Sequence, residues 1–260
     1  MNSLHDPHQS AYRQHHSTET VLLRVQTDIL DALDRGSMVV LIMTDLSAAF
    51  DTLDHPILLE RFSHSFGIRE EALGWIASYL AGRSQCVAIE DSTSSDCALE
   101  YGVPQGSVLG PKMYCMYTRP VGDIARKHNM EHFSYADDGQ GYQVLEFSMQ
   151  WTETAEQIAA CVGDLQAWMD RNMLKLNQDK FEFIVYHPRH QTLDQQNFTI
   201  TVGNSTFTPS SCVKNLGVNQ DKCLTMEKHV SLVTRSCYHQ IRLIGRIRDY
   251  ITTDACRSLV

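Results

Sequence analysis

The sequence has no Cys-x-x-Cys pair: its eight cysteines are scattered. That excludes a zinc ribbon and gives no disulfide framework, and it suits a reducing intracellular compartment. No long hydrophobic run is present either. The longest, Met38 to Met43, is strand-sized, so no membrane span is expected. Met1 to Pro7 lacks the charged and apolar regions of a signal peptide, which argues against secretion. Positive charge is not in excess: 22 Lys and Arg against 31 Asp and Glu leave a net −9. Such a balance speaks against tight, autonomous nucleic-acid binding. Local basic groups remain at Arg83, Arg119, Arg126 and Lys127, and near the C-terminus at Lys228, Arg242, Arg246 and Arg248. Internal repeats and low-complexity segments are missing, which removes solenoid architectures.

What is there is an ordinary globular composition, 43% apolar and 20% charged over 260 residues, enough for one core and a small second lobe. Residues 1–8, with His5, His8 and the breaker Pro7, read as a disordered or incompletely packed end. Apolar residues at helical spacing (Leu22, Val25, Ile29, Leu33) predict a helix from Glu19 to Arg35, stopped by Gly36. A strand from Met38 to Leu46 follows, then helices from Pro56 to Phe66 and Glu70 to Leu80. Short strands are expected at Gln85 to Glu90 and Cys97 to Tyr101, and one helix from Ser107 or beyond Pro111 to His128. Trp151 to Asn172 reads as a long amphipathic helix. Strands at Phe181 to Tyr186, Phe198 to Val202 and Val213 to Val218 precede a basic helical segment from Glu227 to Val260. The interleaving predicts an α/β (α+β) fold: a split βαβ sheet with helices on one face.

Within this frame Tyr135-Ala136-Asp137-Asp138 carries the most information. Two adjacent carboxylates sit at a tight turn between apolar runs, and Asp45 closes the run Met38 to Met43 at a comparable strand end. Three acids brought to one point gain nothing in stability, because unpaired like charges repel. They suit hard divalent cations, which take oxygen donors and bridge to phosphates. The pattern reads as a two-metal nucleotidyl-transfer site. An Asp-Asp pair is also common in hairpin turns, whose geometry both residues tolerate.

The ordered motifs resemble the reverse transcriptase of non-LTR, LINE-type retrotransposons, closest to the jockey and chicken-repeat elements. Thr44-Asp45-Leu46-Ser47-Ala48-Ala49-Phe50-Asp51-Thr52-Leu53-Asp54-His55 is similar to the family's first palm motif. Gly102 through Pro111 is similar to the second, and Ser134-Tyr135-Ala136-Asp137-Asp138 to the third. Trp168 to Asn172 with Leu174-Lys175-Leu176-Asn177 and Lys180, then Asn215-Leu216-Gly217-Val218, resemble the fourth and fifth. Ser10-Ala11-Tyr12-Arg13 followed by His16-Ser17-Thr18-Glu19 matches a finger segment. Each motif alone is weak; the ordered set is specific.

The resemblance implies a right-hand polymerase palm over residues 9–225 with partial fingers at its start, and a partial thumb over 226–260. It implies RNA-directed DNA polymerisation on an RNA template and a DNA primer, with dNTPs as substrates. Asp45 and Asp137, with Asp138 nearby, would hold two Mg²⁺ ions, for which Mn²⁺ is a possible substitute. Lys180 would donate a proton to the leaving pyrophosphate; its other reading is a solvated surface lysine. Leu46 and Phe50 would line the nucleotide site, with Phe50 excluding a 2′-hydroxyl; the alternative is a core phenylalanine. Gln105 and Gly106 would lie along nucleotide and template, or form a simple turn. Arg13 would contact phosphates. Asp51 and Asp54 would orient or cap local backbone, as a strand-to-helix turn favours.

Some positions depart from the family. Gly139-Gln140-Gly141-Tyr142 stands where relatives have Thr-Gln-Leu-Tyr, and two glycines are expected to weaken that strand. Phe181 replaces a small polar residue after Lys180. The expectation is a chain cut off at both ends, whose partners include the rest of a polyprotein (endonuclease, remaining fingers and thumb) inside a nuclear or cytoplasmic ribonucleoprotein, with no membrane. The rival readings are an inactive remnant, a host-adopted nucleic-acid-binding module and an RNA-directed RNA polymerase.

Overall fold

The computed structural model describes residues 6–47, 50–145, 151–177, 180–188 and 198–259. Of the positions singled out above, His5, Ala48, Ala49 and Val260 lie outside them. Contacts divide the chain into two compact units, Met1–Ser210 and Ser211–Val260.

The first unit is built on a four-stranded antiparallel sheet. Its strands are β1 (Met38–Thr44), β7 (Glu131–Tyr135), β8 (Asp138–Leu145) and β10 (Glu182–Tyr186), in the order β10-β1-β8-β7. This is the expected split βαβ arrangement: α2 to α5 connect β1 to the β7–β8 hairpin, and α6 connects the hairpin to β10. Period-two alternation sorts the strand residues into two faces. Val40 and Ile42 of β1 with Phe183 and Val185 of β10 face the main core, beside Ile158, Val162 and Leu165 of α6 (Trp151–Arg171). Val39 and Leu41, paired with Tyr186 and Ile184, face the other way.

That second face is also covered. α1 (Thr18–Asp34) buries Val21, Val25 and Ile29, and lies against β1 and β7. Asp28 accepts a hydrogen bond from the Tyr142 hydroxyl at 2.5 Å, and the Arg24 guanidinium stands 4.9 Å from the Phe133 ring centroid. Helices therefore occupy both faces, the predicted layer on one and α1 on the other. The sequence signal for α1 was its apolar stripe, which says that a face is buried and not which sheet face buries it.

The predicted helix ending at His128 is two helices, α4 (Gly110–Tyr117) and α5 (Pro120–Lys127). Pro120 has no N–H to continue the α4 ladder, so it opens a new helix at its first turn. The segment between α3 (Glu70–Leu80) and α4 is a chain of short pairings, β3 (Ser84–Gln85) with β6 (Cys97–Ala98) and β4 (Ala88–Ile89) with β5 (Ser92–Thr93). The pair β2 (Leu46–Ser47) with β9 (Lys175–Leu176) went unseen in sequence, whereas β11 (Ile200–Val202) lies within the strand expected at Phe198 to Val202 and pairs with β12 (Ser205–Phe207), which was not expected. Two-residue strands leave no periodicity to read.

The start of the chain is better packed than expected. Asp6 is buried and pairs with Arg126 of α5 at 2.8 Å, and His8 stacks on Phe133 at 4.6 Å. These contacts replace the incompletely packed end expected to reach residue 8; residues 1–5 lie outside the description. In the second unit, β13 (Cys212–Asn215) and β14 (Val218–Asp221) form a hairpin that groups with α7 (Glu227–Ile247), a 3-10 turn and α8 (Thr253–Ser258). The contact boundary thus precedes the hairpin, earlier than residue 226.

Candidate active site

The acidic positions sit at one end of the two central strands. Asp137 occupies the two-residue turn between β7 and β8, and Asp138 opens β8. Thr44 ends β1 opposite Gly139, which places Asp45 beside the base of the hairpin. The turn is closed by Ala136 at φ 58°, a left-handed conformation that costs a residue with a Cβ about 1 kcal/mol.

Beyond Asp45 the backbone crosses to β2, which pairs with β9, and the Asn177 N–H donates to the Asp45 carbonyl at 2.9 Å. The Lys180 N–H donates to the Asn177 carbonyl, and its ammonium reaches Asp45 Oδ2 at 2.5 Å. Phe181, at the departure from the family pattern, is buried and packs against Phe207 of β12 at 4.6 Å. It anchors the segment that carries Lys180.

The charges report on one another. The Asp138 carboxyl is raised by its partial removal from water, then by the Asp137 and Asp45 charges, with Lys180 opposing. Lys180 is raised by its bond to Asp45 and by the charges of Asp45, Asp138 and Asp137. The buried Tyr114 hydroxyl is raised by burial first, then chiefly by Asp137, with Cys115 and Asp45 adding to it. Among the described residues, however, no three His, Cys, Asp or Glu side chains close into a ready metal cage. The three acids share one field without converging on one point.

The neighbouring positions are arranged as follows. Leu46 is half-buried against the core, and Phe50 stacks on Tyr114 at 4.6 Å with the rings inclined by 29°. The second motif is bonded to the first: Gly102 N–H donates to Leu53 O at 2.8 Å, Val103 N–H to Phe50 O at 3.0 Å, and Gln105 Nε2 to Asp51 Oδ1 at 2.8 Å. Gly102 has φ +83°, and a Cβ there would lie 2.8 Å from Asp51 O, so only glycine allows this approach. Gly106 has φ +77° and open space around it. Asp54 caps α2 (His55–Phe66) by accepting from Ile57 N–H at 2.9 Å. Arg13 does not point a free Nη1 outward: that atom donates to the carbonyls of Asp6, Pro7 and Gln9.

The glycines after the acid pair do not loosen the hairpin. β8 is paired throughout, between β1 and β7. A Cβ at Gly139 would meet Thr44 Oγ1 at 2.7 Å, and one at Gly141 would meet Met130 Sδ at 2.7 Å. Their role is close approach, a use that strand propensity does not register.

Other residues near the site were assigned no role from the sequence. The Gln9 carboxamide bonds both the N–H and the C=O of Ala136, each at 3.2 Å. Tyr12, half-exposed at φ 60°, has its hydroxyl raised by burial, then by Cys115 and Asp137. Asn172 of the fourth motif is buried; it accepts from Arg61 Nη2 at 2.5 Å, and its carbonyl accepts from the Tyr117 hydroxyl at 2.7 Å. It is a clamp between α2, α4 and α6.

The donor set fits hard divalent cations: carboxylate oxygens, with Asp138 raised by burial and then by its acidic neighbours, and the exposed Lys180 ammonium as counter-charge. The comparisons with known proteins point the same way. The family model for reverse transcriptase (RNA-dependent DNA polymerase) matches residues 1–220. The chain is 30% identical to a probable RNA-directed DNA polymerase from transposon BS of Drosophila melanogaster, over 96% of this chain and 28% of that protein. It is 26% identical to the RNA-directed DNA polymerase from mobile element jockey of Drosophila funebris, over 88% of this chain and 24% of that protein. It therefore spans about a quarter of the length of these relatives. The fold is similar to that of apo telomerase from Candida tropicalis truncated from its C-terminal domain, with TM-score 0.54 and 17% identity, over 81% of this chain and 39% of that one. Members of this family generally use divalent metals and act on an RNA template. The chain belongs to the reverse transcriptase (RNA-dependent DNA polymerase) family.

Proposed function

We propose that this domain extends a DNA primer on an RNA template, with Asp45 and Asp137 as the ligands of two Mg²⁺ ions and Asp138 beside them. The observation that carries the reading is the shared field of three carboxylates at the ends of the central strands, answered by Lys180. Bound there, the ions would lower the pKa of the primer 3′-hydroxyl and neutralise the triphosphate.

The rest is the work of the chain. The 3′-oxygen, its proton released to solvent, attacks the α-phosphorus of the dNTP, a new P–O bond forms, and the bond to the β-phosphate breaks. Lys180, held at Asp45 as an ammonium, is within the same cluster and supplies the proton that leaves with pyrophosphate. Phe50, backed by Tyr114, fills the space a 2′-hydroxyl needs and so disfavours ribonucleotides. Gln105, fixed by Asp51, and Gly106 border the nucleotide and template. The chain spans about a quarter of its relatives' length, and a longer protein would supply part of the grip on the nucleic acid.

The test is Mg²⁺-dependent extension of a DNA primer on an RNA template, with wild type beside Asp137→Asn and with dNTPs and rNTPs assayed separately. Extension by wild type with dNTPs alone, lost in the variant, supports the reading. A folded chain that extends nothing is a non-catalytic copy of the domain.

A further inference from the structure

The turn that carries Asp137 is not self-supporting. Ala136 is held at φ 58°, a conformation an alanine leaves readily when unconstrained. What constrains it lies far away in sequence. The Gln9 side chain, 4% exposed, donates from Nε2 to Ala136 O and accepts at Oε1 from Ala136 N–H, both at 3.2 Å. Oε1 also accepts from Ala11 N–H at 2.9 Å, so the amide is locked in orientation.

The backbone around Gln9 is itself fixed to the hairpin. Ser10 N–H donates to Ser134 O at 3.0 Å, and Ser134 N–H to His8 O at 3.1 Å. Arg13 Nη1 donates to Gln9 O at 2.9 Å, and Asp6 is paired with Arg126. Gln9 thus holds the two peptide groups on either side of the Ala136 Cα, and the second of them leads directly into Asp137.

We propose that Gln9 is a positioning residue that holds the Asp137 carboxylate ready for the divalent cation; the inference rests on the metal-binding reading of Asp137. The chemistry is specific. One carboxamide offers a donor and an acceptor at the spacing of a peptide edge, whereas a carboxylate only accepts and meets the Ala136 carbonyl with repulsion. An asparagine is one methylene short of the same two atoms.

The experiment is a Mn²⁺ titration of the full chain, with free ion read by electron paramagnetic resonance, at a temperature where every variant is folded by circular dichroism. Wild type is compared with Gln9→Ala, Gln9→Glu, Asp137→Asn and the exposed control Gln14→Ala. Amide exchange at Ala136 is followed in parallel. The expected result is Mn²⁺ affinity about 10-fold lower in both Gln9 variants, the lower end of what losing a group that orients a metal ligand costs, with faster exchange at Ala136 and with Gln14→Ala unchanged. Wild-type affinity in Gln9→Ala would overturn the positioning role and leave the metal reading intact. Weakened binding that tracks melting temperature alone, with Ala136 still protected, would make Gln9 merely structural. Equal Mn²⁺ binding by wild type and Asp137→Asn would remove the metal reading itself, and the inference with it.

Discussion

Lys180 Nζ lies 2.5 Å from Asp45 Oδ2, and the two residues are joined a second time through Asn177, whose N–H bonds the Asp45 carbonyl and whose carbonyl bonds the Lys180 N–H. The pairing of β2 with β9 makes this link. The ammonium thus stands in the position of a counter-cation for a carboxylate assigned to metal binding, while remaining 64% exposed.

Because the ammonium is exposed, replacing Lys180 with Ala is expected to leave the urea unfolding midpoint nearly unchanged. Catalysis is expected to suffer more. Loss of a general acid costs about 10²-fold or more in rate, and because Lys180 is raised above its ordinary value the loss should be uniform from pH 6 to 10. Single-turnover primer extension across that range checks this. An unchanged rate would reduce Lys180 to a surface lysine.

Gly102 joins the first two motifs, and its substitution tests that joint. Alanine at φ +83° is strained, and its Cβ would meet backbone at Asp51 that has no side-chain freedom to retreat. Gly102→Ala is expected to cost about 2–3 kcal/mol, measured by urea unfolding. Gly106→Ala, at a similar φ with open space, should cost about 1 kcal/mol.

The strand and helix pattern was legible because most elements bury one stripe, and the sheet order followed from their alternation. The motif acids were legible as carboxylates at strand ends. What could not be read were contacts between distant segments. Gln9 is an ordinary polar residue until Ala136 lies beside it, and Gly139 and Gly141 read as weak strand residues until Thr44 and Met130 occupy the space a Cβ would take. Nor does sequence say that Lys180 reaches Asp45, since their juxtaposition depends on a two-residue pairing.

Phe50 gives a specificity prediction. If it fills the space of a 2′-hydroxyl, Phe50→Ala should lower the dNTP-to-rNTP ratio of kcat/KM by about 10–100-fold, the range a pocket side chain commands. It should also lose part of its stacking on Tyr114, at about 1 kcal/mol. Steady-state incorporation of matched dNTP and rNTP decides between the sugar site and a core phenylalanine.

The Asp6–Arg126 pair predicts how firmly the N-terminal segment is docked. Burial works to raise the Asp6 carboxyl, and the Arg126 bond with the His8 N–H more than offsets it, holding Asp6 below the usual range. A depressed carboxylate contributes its stability above the unfolded value of about 4 and loses it as pH falls through the folded one. Arg126→Ala should cost about 1–2 kcal/mol at pH 7, since Asp6 is left buried and Arg126 is only partly so. Gly122→Ala should undo the same contact, because its Cβ would collide with the Asp6 carboxylate.

His132 supplies the sharper pH dependence. It is buried on the hairpin, and removal from water pushes its imidazole down to about 4, with Asp6 opposing and Arg126 and His8 assisting. The unfolded chain therefore binds a proton that the folded chain refuses between about pH 6.5 and 4. Stability is full above that window and falls as pH drops through it, by about 3 kcal/mol if the whole shift is realised. Urea midpoints at pH 7, 6, 5 and 4.5 should decline for wild type, and the decline should shrink in His132→Gln. Equal slopes in the two proteins would show that the imidazole is charged when folded, paired with Asp6, and that the neutral, desolvated assignment is wrong.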